Sequence, residues 1–179
     1  LLDVVGNTTS SVEDMVVGAK VRLVPEGASR PGLGVRFATK LPIASTESGL
    51  GLGTTDFHAS LLAAKTVQSV RMVLNLGVGI LGDPTRGGRQ NDVLTYGMSF
   101  ARAATASTEV VGEINGRANL SGDDPPTGTE SRSVFRIGAR YTRGTIRADT
   151  ALLFGITETD PTIGVAAGVT YVFNAFQVP

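Results

Sequence analysis

Apolar and polar residues alternate with a period of two through nine successive segments of this 179-residue chain. No other feature constrains its fold as strongly. Successive side chains of a strand point to opposite faces, whereas an amphipathic helix repeats its apolar positions every three or four residues. In the first segment Met15, Val17, Ala19, Val21 and Leu23 interleave with Val16, Gly18, Lys20 and Arg22. In the last, Ile163, Val165, Ala167, Val169, Tyr171 and Phe173 interleave with Gly164, Ala166, Gly168 and Thr170. Residues 33–41, 57–63, 71–80, 94–100, 109–115, 135–141 and 146–156 repeat the pattern, and no stretch has helical periodicity.

The segments are long. At roughly 9–12 residues each they exceed the 5–6 usual in globular proteins and match the 9–11 that a tilted strand needs to cross a bilayer. Short turns at Glu26–Arg30, Val67–Ser69, Ala103–Ala106 and Arg143–Gly144 alternate with longer Gly/Pro/Ser/Asp-rich loops at Pro42–Thr54, Gly82–Asp92 and Ala118–Ser131. A medium loop, Thr157–Pro161, precedes the last segment. Outer-membrane barrels combine short periplasmic turns with longer extracellular loops in this way. The expected fold is therefore all-β, an antiparallel up-and-down transmembrane β-barrel with nine or ten strands in this chain. The first full strand starts on the long-loop side, and single-chain bacterial barrels have even strand numbers. An odd number of strands is thus expected before it, with Leu1–Val5 as the tail of one of them and two or three lost from this chain, giving 10–12 in the full barrel. Residues 1–179 are expected to form a single barrel domain, and 174–179 a C-terminal extension.

A soluble sandwich also alternates, but its outer face is rich in Lys and Glu. Here the polar positions hold mainly Gly, Ala, Ser, Thr and Arg, and the whole chain has three lysines. Phe100, Tyr141, Tyr171 and Phe173 fall on the apolar side near the short-turn ends, where a membrane-interface girdle would lie. The polar face then lines the lumen. Its basic candidates are Lys20, Arg22, Arg36, Lys40, Arg71, Arg117, Arg136, Arg140 and Arg147, and its acidic ones Asp56, Glu109, Glu113 and Asp149. His58 and Asn75 share this face. The lumen is thus expected to be net basic, although sixteen Lys+Arg balance sixteen Asp+Glu overall. Glu113 and Asp149 are each expected to pair with Arg136 or Arg140 across neighbouring strands.

Several segments, in order, resemble the outer-membrane barrel family named for the meta-pathway of phenol degradation. Ser11-Val12-Glu13-Asp14-Met15-Val16-Val17-Gly18-Ala19-Lys20 is similar to that family's opening strand, with Glu13 where the family usually has Gly. Lys40-Leu41-Pro42 followed by Gly51-Leu52-Gly53-Thr54-Thr55-Asp56 resembles its KLP…GxGTxD stretch. Asn75-Leu76-Gly77 and Gly112-Glu113-Ile114-Asn115-Gly116 resemble its NLG and GExxG strands, and Gly168-Val169-Thr170-Tyr171-Val172-Phe173 its closing strand. Six residues follow Phe173 here, where the family closes on an aromatic terminus. The resemblance implies an outer-membrane barrel passing small solutes, including aromatic or apolar compounds.

Composition narrows the alternatives. Zero net charge gives nucleic-acid binding no bulk electrostatic support. Without cysteine there is neither a disulfide nor a thiolate, and a single histidine excludes a metal site built on two imidazoles. No cofactor or metal is expected. Ser60 and His58 lie two apart on one face, with Asn75 on the next segment, a set that an esterase or lipid deacylase could use, His58 acting as base toward the Ser60 hydroxyl. The glycines at 49, 51 and 53 lack the Lys-Ser/Thr ending and helix of a phosphate loop. Gly87-Gly88 marks a loop, as does Asp123-Asp124-Pro125-Pro126, where calcium is the weaker reading. Asn7-Thr8-Thr9 forms a glycosylation sequon with no meaning in a bacterial outer membrane.

The expected function is a non-enzymatic outer-membrane channel for small solutes, or else a structural barrel with a plugged lumen. Its partners would be the bilayer and lipopolysaccharide, the barrel-assembly machinery and the solute.

Overall fold

The computed structural model describes residues 2–4, 7–9, 13–44, 53–83, 89–120, 125–126 and 128–172. Phe173, the extension 174–179, Ser11, Val12, Gly49, Gly51, Gly87, Gly88, Asp123 and Asp124 lie outside the described residues. Among those described there is no helix, so none is long and apolar enough to cross a membrane.

The chain is all-β. A small antiparallel pair, β1 (Leu2–Val4) with β2 (Asn7–Thr9), forms its own two-stranded sheet. Residues 2–4 thus pair with their own hairpin partner instead of extending the large sheet, contrary to the expectation for Leu1–Val5. The remaining strands are β3 (Met15–Val24), β4 (Gly32–Leu41), β5 (Asp56–Val67), β6 (Val70–Gly82), β7 (Gln90–Ala103), β8 (Thr108–Asn119), β9 (Arg132–Arg143), β10 (Ile146–Gly155) and β11 (Ile163–Tyr171). Each pairs antiparallel with its neighbours in sequence, giving a nine-stranded up-and-down sheet in the order β3 to β11.

These residues make strands because β-branched and aromatic side chains fit a pleated surface. The ladders are nearly unbroken, with one irregularity at Arg22/Val24 in β3. Strand lengths in the large sheet run from 9 to 14 residues. The longest strands, β6 and β7, extend past their alternating cores because Leu81↔Asn91 and Gly82↔Gln90 continue the ladder. As a result the connection 83–89 is no longer than the turn 25–31, and the short/long alternation is less strict than expected. The tight turns stand as expected, with Gln68 and Gly144 taking positive φ of 53° and 59°.

The sheet has two free edges, β3 and β11. They are eight antiparallel steps apart, so they run in the same direction. The two faces differ sharply in exposure. On the apolar face Leu61, Phe57 and Val78 are 66, 55 and 50% exposed. On the polar face Ser60 and Val93 are 8 and 0% exposed. Over the central strands the polar face is therefore the more sheltered side, while on the edge strand β3 both faces are exposed.

Candidate functional site

Register decides what the polar face presents. Following the ladders strand to strand, all fifteen residues expected to line it share one face: Lys20, Arg22, Arg36, Lys40, Asp56, His58, Arg71, Asn75, Glu109, Glu113, Arg117, Arg136, Arg140, Arg147 and Asp149. Arg132, directly opposite Arg117, joins them. Alternation had not reached it, because it stands at the junction of loop and strand with no apolar partner before it. Ten basic and four acidic strand residues therefore share the face, a surplus of six positive charges.

Some of these charges neutralise one another. Arg136 Nη1 donates to Glu113 Oε1 at 2.6 Å and to Asn115 Oδ1 at 3.1 Å, one of the two expected pairings for Glu113. Arg140 turns to Glu109 at 3.5 Å. Asp149 stands opposite Arg140 in the ladder but forms no ion pair among the described residues, and its carboxylate lies over Gly168 on β11. The expected Asp149 pairing therefore does not form. Lys40 joins Asp56 at 2.8 Å and Asp14 at 3.7 Å, and Asp56 also accepts the Gly82 N–H. This knot ties β4, β5 and β6 together at the long-loop end.

A loop segment closes over the same end. Thr129 is buried, and its hydroxyl accepts a 2.6 Å bond from Asn91 Nδ2. Asn119 donates to the Thr129 carbonyl, while Arg117 donates to the carbonyls of Gly128 and Glu130 at 2.6 and 2.9 Å. Asn91, Asn119 and Arg117 all belong to the polar face.

The short-turn end is clasped differently. Glu26 accepts the Thr66 N–H at 2.6 Å and pairs with Lys65 and Arg71, and the Thr66 bond is the main reason its carboxyl is held below the ordinary 4.5. Lys65 sits on the apolar face and bends its ammonium back to the carbonyls of Gly27 and Ala28, the behaviour of a long cation leaving an apolar surface.

Ser60 and His58 share the polar face, but no hydrogen bond joins them among the described residues. Ser60 faces Gly77, His58 faces Gly79 and Asn75 faces Leu62, which leaves Asn75 four register positions from His58's partner. The set is not assembled as a Ser–His pair oriented by an amide.

On the outer face Phe100, Tyr141 and Tyr171 are exposed at the short-turn ends. The Phe100 ring covers Gly112, and the Tyr96 hydroxyl lies at Gly116. The opposite end has its own aromatic group, missed in the sequence: Phe135 and Phe154 stack at 6.4 Å, with Phe57 exposed on the same side.

No protein-family model matches the chain, and no curated protein matches it either.

Proposed function

We propose that this sheet is the wall of an outer-membrane β-barrel through which small solutes pass, its apolar face against lipid and its basic face around the lumen. One observation carries this reading: in the middle of the sheet the apolar side chains are on the exposed face, and most of the strand charges share the opposite, more sheltered face. That is the reverse of a water-soluble sheet and the arrangement of a membrane barrel. Aromatic side chains at both ends of the apolar band support it, and so does the ordered resemblance to the phenol-degradation barrels. Closure needs either a parallel β3–β11 seam or an odd number of strands between these edges.

A plugged structural barrel is the second reading. It is favoured by residues 128–130, anchored on Asn91, Asn119 and Arg117.

Two measurements test these readings. Refolded in detergent, the protein should migrate differently on a gel before and after boiling, since folded membrane barrels resist SDS until heated. Identical mobility, with solubility in the absence of detergent, would overturn the membrane reading. Conductance in planar bilayers then separates channel from plug.

A further inference from the structure

One register row crosses the polar face from the free edge to β9: Lys20, Arg36, Ser60, Gly77, Thr95, Arg117 and Arg132, each directly opposite the next. It holds four cations and two hydroxyls and no carboxylate. Arg117 has Glu130 at 3.9 Å, and Arg132 feels the charge of Asp160 in the neighbouring loop. Lys20 and Arg36 have no ion-pair partner among the described residues, nor has Arg22 two positions from Lys20. Asp56 on β5 is engaged with Lys40, and Glu26 in the turn between β3 and β4 with Lys65 and Arg71.

Like charges directly opposite in a ladder repel, so an unneutralised Lys20–Arg36 pair opposes the sheet that holds it. An anion seated between them removes that cost. Gly18 and Gly34, each two positions from one of the two cations, put no side chain beside them, and the Ser60 hydroxyl, next to Arg36 in the row, can donate to the same ligand. Rings of Arg and Lys select anions in pores.

We propose that this row is an anion-selecting belt, and that the solute passing this wall carries a negative charge, as a carboxylate or phosphate does. The inference rests on the pore reading above.

The test uses the full chain in planar bilayers under a KCl gradient. The reversal potential is expected to show chloride preference. It should move toward zero in Lys20→Gln/Arg36→Gln and change sign in Lys20→Glu/Arg36→Glu. Arg102→Gln, on the opposite face, should leave it unchanged. Inorganic phosphate should reduce the chloride current of the parent but not of the charge-reversed pair. Heat-modifiable mobility of each variant shows that it has folded, and the Gln pair serves if the Glu pair does not. A channel without anion preference, or with a preference that both pairs leave intact, overturns the belt and leaves the pore standing. A folded barrel that does not conduct overturns both.

Discussion

Glycine 138 shows how closely the strands of this sheet are fitted. A Cβ there would meet the Thr150 carbonyl and the Cβ of Ala151 on the facing strand, and backbone cannot swing aside as a side chain can. At Gly164 the nearest atom to an added Cβ is 3.7 Å away, an ordinary contact. Gly138→Ala is therefore expected to destabilise the sheet by about 1–3 kcal/mol, and Gly164→Ala to be nearly neutral, in urea unfolding followed by intrinsic fluorescence. Equal effects at the two sites would mean that glycine acts here only through backbone entropy. Glycine in a strand pattern is visible in the sequence, but which glycines are pressed against a neighbouring backbone is not. The same limit applied to Asp149 and Arg140. They are opposite in the ladder, yet the guanidinium selects Glu109 on its other side.

At the scale of elements, the connection between β10 and β11 is held by one carboxylate. Asp160 Oδ2 accepts the Thr157 hydroxyl at 2.6 Å, the Ser133 N–H at 2.8 Å and the Thr157 N–H at 3.3 Å. The Thr157 hydroxyl bond is the largest cause, and the Ser133 bond the next, of a carboxyl held below the ordinary 3.8. A group whose pKa is lower folded than unfolded stabilises the fold above its unfolded value, and that contribution is lost as pH falls through the folded value. The 156–162 loop should thus keep its order at neutral pH and lose it on acidification below the ordinary aspartate range. Asp160→Asn is expected to loosen the loop at neutral pH and to abolish this acid dependence, read as protease susceptibility of the loop against pH. A parent loop whose susceptibility does not change with acid would remove Asp160 from this role. The loop positions were evident from Gly, Pro and Asp content. Which polar atoms of β9 the loop would bind was not, because Ser133 lies 27 residues earlier in the chain.

For the whole molecule, the proposed membrane wall stands or falls on its apolar face meeting lipid. The chain has no cysteine, so single cysteines report cleanly on their surroundings. Leu74 and Asn75 are adjacent on β6 and face opposite sides. In liposomes Leu74→Cys is expected to resist a water-soluble maleimide while Asn75→Cys reacts. The reverse result would put water on the apolar side and overturn its assignment to lipid. A net charge of zero says nothing about this partition, since sixteen charges of each sign are spread unequally. The strand residues of the polar face carry six more positive than negative.

The amino-acid sequence by itself determined the nine strands of the large sheet, their antiparallel order through tight turns, and the assignment of each side chain to one of two faces. Side-chain direction along a strand depends only on local backbone geometry, so a period of two is sufficient to read it. The tertiary structure alone decided which residues stand side by side. Register is set by ladder hydrogen bonds between segments tens of residues apart and by the turn that joins them. It placed Lys20, Arg36, Arg117 and Arg132 in one row, chose Arg136 over Arg140 as the partner of Glu113, and brought Thr129 down onto Asn91. Those neighbours are far apart in the chain, and no periodicity within a single segment encodes them.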